Sequence, residues 1–266
     1  NNSVQIAQEG FGPTPLLGFD SIDYANCCGG GGVVPPDPEM AAGPNHLIAV
    51  VNLSLEIYDK SGNSVYGPVT TDSFFSANPS CGGTFDPSAV YDEEADRFVI
   101  GIDANGVNYC AAVSATGDPT GAWYIYAVPA NIMGAFHDYP HTGVGNNAIF
   151  VGSNQFGGGV PQGFEGRVWA LDKAAMYAGN PMTPITFSTG YDGGTPQVLT
   201  LHGYAQGTWP TDDTHYIVTD NYDGQTIWIW EWPNPLSGGT PTVVATLNIG
   251  AGGYPVDVPQ MGGQAI

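Results

Sequence analysis

The chain contains a unit that recurs about every 50 residues, a spacing typical of repeat architectures such as β-propellers. The first three copies open with Pro36-Asp37-Pro38, with Phe85-Asp86-Pro87 and with His137-Asp138-Tyr139-Pro140. The opening aspartates are 49 residues apart from position 37 to 86, and 52 apart from 86 to 138. A fourth, looser copy opens at His202. This regularity indicates that similar units pack around one axis.

Two runs of alternating apolar and polar residues follow each opening. Such alternation indicates β-strands, and the Gly, Pro, Asn and Asp residues between the runs indicate tight turns. The first runs are 47–52, 97–102, 148–153 and 215–220, and the second runs are 55–59, 109–114, 167–171 and 226–232. A short helix is predicted only at 172–178.

We therefore predict an all-β fold, a β-propeller of four-stranded antiparallel blades. The alternative is a β-sandwich, which does not account for the recurring Asp-Pro openings. The predicted blades are 33–80, 81–130, 131–195, 196–250 and a partial fifth at 251–266, after an N-terminal extension 1–32 whose run 3–8 closes the ring. Because the fifth blade is short, the ring has four blades, or the sequence is a fragment, or a neighbouring copy completes it.

Several segments resemble a broad group of secreted bacterial β-propeller proteins. They are PPDPEMAAGPNHLIAVVN, FDPSAVYDEEADRFVI, SATGDPTGAWYIY, HDYPHTGVGNNAIFVGSN and LDKAAMYAG, and the resemblance covers roughly residues 15–262. It implies the propeller fold, and members of this group often carry appended adhesion or sorting modules. It implies little about function, because one fold hosts many functions.

The charge balance excludes several partners. Lys and Arg together number 4 against 25 Asp and Glu, a net charge of −21. Nucleic acids and anionic membranes require a basic surface, so we exclude both, and no apolar run is long enough for membrane insertion. Salt or bound cations such as Ca²⁺ would relieve the repulsion between the carboxylates. We expect an extracellular or cell-surface protein in its mature form, since the sequence begins at Asn1.

Four cysteines fit disulfides, which form outside the cytosol. Cys81 and Cys110 flank one predicted strand pair, and we favour that pairing. Cys27 and Cys28 form a vicinal disulfide or pair elsewhere. The alternative is four buried free thiols.

The opening aspartates Asp37, Asp86 and Asp138 are the main candidate site. At equivalent places in three blades they would surround one mouth of the central channel. Three roles are open for them there: they bind Ca²⁺, they act as acid and base in glycoside hydrolysis, or they cap turns. The layout is similar to that of five-bladed furanosidase-type hydrolases. Those enzymes use a Glu as general acid, whereas the nearest candidate here is Glu39.

Three further groups are weaker candidates. His137 and His141 flank Asp138 and are candidate metal ligands, as are Asp92 and Asp96 in an acidic loop. The alternating face of Trp228, Trp230 and Trp232 would stack on sugar rings if exposed, or else pack between blades. No phosphate loop, dinucleotide fingerprint or Gly-x-Ser-x-Gly motif is present, so we expect no nucleotide or organic cofactor.

The leading functional prediction is a secreted, acidic propeller that acts as an extracellular binding, adhesion or assembly module stabilised by Ca²⁺. Its partners would be extracellular polysaccharide or copies of itself. The prediction depends on the lack of a convincing catalytic set. The alternative is a carbohydrate-active enzyme, similar to glycoside hydrolases, that uses the carboxylates of the channel mouth.

Overall fold

A computed structural model describes residues 17–250 apart from Tyr222, and it confirms the all-β propeller. Four antiparallel sheets of four strands each follow one another along the chain, and in every sheet the strands are neighbours in sequence order. The predicted closing strand at 3–8 and the partial blade at 251–266 lie outside the described residues. Among the described residues, no helix is long and apolar enough to cross a membrane.

The two middle strands of each blade agree with the runs predicted from the sequence, which provided no bounds for the innermost and outermost strands. The first sheet contains β1 (Glu39–Ala42), β2 (His46–Val51), β3 (Ser54–Asp59) and β4 (Ser64–Thr70). The second contains β5 (Thr84–Asp92), β6 (Arg97–Ala104), β7 (Asn108–Ser114) and β8 (Trp123–Pro129). The third contains β9 (Phe136–Val144), β10 (Ala148–Phe156), β11 (Phe164–Asp172) and β12 (Ile185–Gly190). The fourth contains β13 (Gln197–Val198), β14 (His215–Asp220), β15 (Thr226–Trp232) and β16 (Thr242–Asn248).

Two short α-helices connect strands, α1 (Thr71–Phe75) and α2 (Lys173–Tyr177). The predicted helix at 172–178 is thus confirmed as α2. Its N-cap is Asp172, whose side chain accepts a hydrogen bond from the backbone N–H of Ala175. Within residues 17–250 there are also four 3₁₀ turns: Cys27–Gly29, Ile132–Gly134, Pro161–Gly163 and Pro235–Ser237.

The blades pack face to face, so a middle blade buries both faces of its strands. In β6, Phe98, Ile100 and Ile102 pack into the core between the first and second blades. Val99, on the opposite face of the same strand, packs into the core between the second and third blades. A third core lies between the third and fourth blades, around Phe150. This two-sided burial accounts for the continuous apolar run in β6, because neither face meets water.

The innermost strands β1, β5, β9 and β13 all begin at one end of the propeller, which we call the upper mouth. The fourth blade opens there at Thr195-Pro196, so the predicted opening at His202 is wrong. Residues 199–214 instead form a long connection to β14 that crosses the lower end. There Glu93 accepts hydrogen bonds from the backbone N–H groups of Gly203 and Tyr204, at 2.9 and 3.2 Å.

Two disulfides are present among the described residues. Cys81 pairs with Cys110, the pairing favoured from the sequence, and this bond ties the connection after α1 to β7. Cys27 pairs with Cys28 in a vicinal disulfide beside the first blade. The structure describes no free cysteine.

Candidate functional site at the upper mouth

Each blade opens with a residue that precedes a proline and has a left-handed backbone conformation. These residues are Asp37, Asp86, Tyr139 and Thr195, with φ angles of 39°, 49°, 56° and 45°. Residues other than glycine rarely adopt positive φ, and the conformation costs on the order of 1–3 kcal/mol at each position. The four residues define one set of equivalent places, which we call the opening positions.

A hydrogen bond between blades accompanies this backbone conformation. The backbone N–H of Asp86 donates to Oδ1 of Asn52, which follows β2 of the preceding blade, at 2.8 Å. Thr195 donates in the same way to Oδ1 of Asn154, at 2.7 Å. The N–H of Tyr139 bonds to the carboxylate of Asp103. The opening positions of the second, third and fourth blades are therefore each attached to a polar residue of the blade before it.

Asp138 is not equivalent to Asp37 and Asp86, and the sequence prediction is wrong on this point. It lies one residue before the opening position of the third blade, which Tyr139 takes. The pairings that establish this are Phe85–Asp103 and Ser88–Gly101 in the second blade, and Asp138–Asn154 and His141–Gly152 in the third. Both blades have the same β-bulge between the two pairs, so the register makes Pro140 equivalent to Pro87 and Tyr139 equivalent to Asp86. The third opening differs because one residue separates its aspartate from its proline.

Asp138 nevertheless reaches the same site, because its side chain points towards the second blade. Carboxylate oxygens of Asp86, Asp103 and Asp138 all lie within 4.8 Å of one another. Asp37 joins them through Asn52, whose side-chain amide donates to Oδ2 of Asp37 at 2.5 Å. Four carboxyl groups from three blades therefore converge at the upper mouth.

The carboxyl groups cannot all ionise at this spacing. Burial, followed by the negative charges of Asp138, Asp37 and Asp103 and a hydrogen bond with Asp37, raises the pKa of Asp86 to about 7. Burial also raises the pKa of Asp138, although a hydrogen bond from Asp86 opposes that shift. Asp86 therefore holds a proton near neutral pH.

Beneath these groups lies a buried pair, Asp103 and His137. Oδ1 of Asp103 is hydrogen-bonded to Nδ1 of His137, and both side chains are fully buried. Burial and the charge of Asp138 raise the pKa of Asp103 to about 9. Burial lowers the pKa of His137 to about 3. The pair thus holds one proton and is neutral as a whole, so it forms an uncharged floor under the site.

A cavity of about 230 Å³ opens above the carboxyl groups. Its walls include Asp37, Glu39, Asp86, Tyr139 and His141. The ring of Tyr139 is half-exposed and meets His141 edge to face, with ring centroids 4.5 Å apart. Burial raises the pKa of Glu39 and lowers that of His141 to about 4. The cavity therefore offers proton donors, carboxylates and an aromatic face together.

No protein-family model matches the chain, and no curated protein matches it. Solved structures with a similar fold include an exo-β-1,3-galactanase from Phanerochaete chrysosporium, which is 8% identical with a TM-score of 0.45 and matches 85% of this chain and 53% of its own. A family GH43 endo-arabinanase from Bacillus licheniformis is 12% identical with a TM-score of 0.40, over 89% and 84% of the two chains. A GH43 enzyme from a capybara gut metagenome is 15% identical with a TM-score of 0.42, over 82% and 42%.

The chain spans about half the length of the galactanase and less of the capybara enzyme. At these identities the likeness concerns the fold. The leading prediction from the sequence, a binding, adhesion or assembly module, is nevertheless wrong against these comparisons, because the solved structures named above are glycoside hydrolases. They agree better with the alternative, a carbohydrate-active enzyme.

The structure does not bring the other predicted metal ligands into one group. Within the described residues, the one cluster with metal-ligand spacing is Asp86, Asp103 and Asp138. Nδ1 of His137 is hydrogen-bonded to Asp103, and His141 lies on the cavity wall.

The acidic loop is likewise committed to structural contacts. Oδ2 of Asp92 lies 3.1 Å from Nζ of Lys173 and accepts a hydrogen bond from Tyr177 at 2.8 Å. Asp96 accepts a hydrogen bond from the hydroxyl of Tyr91 at 2.6 Å. The prediction of a metal-binding loop at Asp92 and Asp96 is therefore wrong.

The tryptophan face of β15 packs mainly between blades. Trp232 is 1% exposed and lies against Phe150 and Phe187, so the prediction that it stacks on a ligand is wrong. Trp230 packs against Phe187 and donates to Thr219. Trp228 is half-buried beside Trp230. None of the three lines the cavity at the upper mouth.

Sequence reasoning missed Asn52 and Asp103. Asn52 directly follows β2, and Asp103 lies near the end of β6. Polar residues at such strand ends are usually interpreted as turn formers. A signal was present: a side-chain carboxyl or amide recurs at this strand end as Asn52, Asp103 and Asn154. These residues can be recognised as partners of the opening positions only when the strand register is known, and the register cannot be derived from this sequence.

Proposed function

We propose that the protein hydrolyses glycosidic bonds at the upper mouth. The observation that carries this proposal is Asp86, a carboxyl group that holds its proton near neutral pH between the carboxylates Asp37 and Asp138. Glycoside hydrolysis requires such a division, because one carboxylic acid protonates the leaving oxygen while another group stays ionised. The open cavity above the group gives a substrate access.

In this proposal Asp86 is the general acid. It transfers its proton to the glycosidic oxygen as the bond between that oxygen and the anomeric carbon breaks. Asp37 is hydrogen-bonded to Asp86 and lies too close to it to act as the base, because the acid and base of such a step are about 6.5–9.5 Å apart. Glu39, the other carboxyl group on the cavity wall, is therefore the base: it takes a proton from a water molecule whose oxygen bonds to the anomeric carbon. Asn52 orients Asp37 through its amide, and Asp138, which does not line the cavity, keeps the pKa of Asp86 high through its charge.

The aromatic face of Tyr139 supplies a surface for a sugar ring. Sugar rings have apolar faces that stack on aromatic side chains, and a half-exposed tyrosine at the cavity wall suits that contact. The positive φ of Tyr139 turns its backbone N–H towards Asp103 and leaves the ring at the mouth. A polysaccharide or oligosaccharide is the substrate class that matches both the ring and the carboxyl groups.

The test is a hydrolysis assay on soluble polysaccharides, starting with β-1,3-galactan, arabinan and xyloglucan, with reducing ends measured over time. Proteins of similar fold carry these three polysaccharides in their names. We expect at least one to be cleaved, and Asp86→Asn to lower kcat by about 10²–10⁴-fold. The matched control is Asp118→Asn, an exposed change in the β7–β8 turn. Equal activity of Asp86→Asn and the parent would overturn the proposal.

A cation site is the second candidate, because the oxygens of Asp86, Asp103 and Asp138 lie close enough to share one ion. Ca²⁺ prefers six to eight oxygen ligands, roughly, so three carboxylates would need carbonyls or water as well. Calcium titration followed by thermal melting separates the two candidates. A Tm that rises with Ca²⁺ in the parent and not in Asp138→Asn supports the cation site, and a constant Tm counts against it.

A further inference from the structure

A second cavity, of about 250 Å³, lies beside the upper mouth, and we call it the side cavity. Its wall comes from two parts of the chain: the segment 22–36 before the first blade, and the end of β2. The lining side chains are mainly apolar and include Ile22, Tyr24, Val33, Val34, Val51 and Cys27, while Asp23 and Asn52 are the polar side chains of the wall.

Polar contacts hold this wall in place. The backbone N–H of Cys28 donates to the hydroxyl of Ser54 at 2.7 Å, and the side-chain amide of Asn52 donates to the carbonyl of Pro35 at 3.0 Å. Both sulfurs of the vicinal disulfide lie 3.5 Å from the carbonyl oxygen of Asn52. The segment is therefore anchored to the first blade on both sides of the cavity.

The side cavity is adjacent to the cavity at the upper mouth, although the two share no lining residue. Asn52 lines it and also donates to Asp37. Pro36, another lining residue, directly precedes Asp37 in the chain. A ligand at the carboxyl groups therefore lies one residue away from an apolar recess.

The mainly apolar wall of the side cavity favours an aromatic ring over a sugar as the bound group. Each sugar hydroxyl placed against Ile22, Val33 and Val51 would lose its hydrogen bonds to water without replacement, which is unfavourable. An aromatic ring loses no such bonds and gains from burial of its apolar surface. Apolar cavities of about 150 Å³ already bind benzene, so the side cavity has room for one substituted ring.

We propose that the side cavity binds an aromatic ring that the glycan substrate carries next to the bond to be cleaved. This proposal rests on the proposed function, because it takes the carboxyl groups as the reaction centre. It predicts that the protein prefers aryl glycosides over alkyl glycosides of the same sugar.

The structure offers a matched pair of variants for the test. A Cβ atom on Gly32 would lie 2.0 Å from Cδ2 of Tyr24, so Gly32→Ala must displace the tyrosine ring from the wall. A Cβ atom on the neighbouring Gly31 would meet nothing within 4 Å. Neither glycine has positive φ, so Gly31→Ala repeats the substitution without the displacement.

The experiment measures binding to the Asp86→Asn protein by calorimetry, with phenyl and methyl glycosides of glucose, galactose, xylose and arabinose. We expect at least one phenyl glycoside to bind about 10- to 100-fold more tightly than its methyl counterpart. Gly32→Ala should remove this preference and Gly31→Ala should keep it. Equal binding within all four pairs, or a preference that survives Gly32→Ala, overturns the proposal.

Phenol is the probe that separates this proposal from the proposed function. It carries no sugar, and we expect it to shift the methyl NMR signals of Val33, Val34 and Val51 in the unmodified protein. This measurement needs no variant to fold. Phenol shifts at these methyls without polysaccharide cleavage would support the side cavity and reject hydrolysis. Cleavage without phenol shifts would support hydrolysis and reject the side cavity.

Discussion

Oδ1 of Asn52 accepts the backbone N–H of Asp86 at 2.8 Å, so one amide of the first blade holds the opening of the second. The Nδ2 of that amide donates to Asp37. Asn52 thus positions the proposed acid Asp86 and its hydrogen-bonded neighbour Asp37, although it transfers no proton itself.

Replacing Asn52 with alanine tests this positioning role. Asp37 loses its donor and the N–H of Asp86 loses its acceptor, so we expect kcat to fall at least tenfold while KM changes little. Unfolding should become easier by about 1–3 kcal/mol, because the half-buried N–H is left unpaired. A purely structural role would lower stability with kcat unchanged. Asn52→Asp keeps the acceptor for Asp86 but sets a carboxyl group against Asp37, so its stability should approach that of the parent only at acidic pH, where one of the two is protonated, and kcat should stay low.

The pH dependence of kcat/KM follows from the proton on Asp86. The acid form is required, and the pKa of about 7 means that this form is lost as the pH rises. Activity should therefore fall above pH about 7. Replacing Asp138 with asparagine removes the charge that helps to keep this pKa high, so the fall should begin at a lower pH. An alkaline limb that Asp138→Asn leaves in place would contradict the assigned roles.

Stability should respond to Asp86 with the opposite sign from a surface carboxylate. Between its ordinary pKa of 3.8 and about 7, the folded protein holds a proton that the unfolded chain has released. This contribution to stability is complete below pH 3.8 and is lost as the pH rises through 7. Asp86→Asn should therefore melt near the parent at pH 4 and several degrees above it at pH 8. A difference in Tm that is constant with pH would contradict the raised pKa.

Lys173 is the buried cation of the lower end. Its Nζ lies 3.1 Å from Asp92 and 3.0 Å from Glu94 and donates to the carbonyl of Gly145 at 3.1 Å. Lys173→Met leaves the buried carboxylate of Asp92 without its partner, and we expect it to cost about 3–5 kcal/mol in denaturant unfolding. Adding Asp92→Asn should recover part of that cost. The matched control is Lys60→Met, in the exposed β3–β4 turn.

The Cys81–Cys110 disulfide closes a chain segment across the second blade, with a sequence separation of 29. Replacing both cysteines with alanine should lower the free energy of unfolding by about 2–4 kcal/mol. Activity below the melting range should stay unchanged, because neither residue lines the cavity at the upper mouth. A loss of activity in the folded double variant would connect this bond to the site.

The two middle strands of every blade were predictable because packing between blades imposes a simple pattern. β6 and β10 carry apolar residues on both faces and are bounded by turn-forming residues. Their bounds can therefore be predicted from where the apolar run begins and where the turn formers end it. The opening of the fourth blade was missed because Thr195-Pro196 lacks the aspartate of the earlier copies. The long connection at 199–214 then placed the turn signals far from the true opening.

The site was only partly predictable, for a geometric reason. Sequence spacing brought Asp37, Asp86 and Asp138 together, and the structure does place them at one mouth. The same bulge in β5 and β9 aligns Pro140 with Pro87, and Tyr139 stands between Asp138 and Pro140, so Tyr139 rather than Asp138 is the residue equivalent to Asp86. Asp103 could not be predicted from the sequence, because its role depends on its buried contact with His137 of the neighbouring blade.

The opening positions have a consequence for how such a protein can diversify. A proline follows each of them, and at Asp86, Tyr139 and Thr195 an amide or carboxyl group of the preceding blade accepts the backbone N–H, whichever side chain the position carries. Asp, Asp, Tyr and Thr occupy the four places on one backbone geometry. Exchange of a single codon can therefore change the chemistry of the mouth without a new loop, which makes Thr195 the natural place to introduce a further functional group by design.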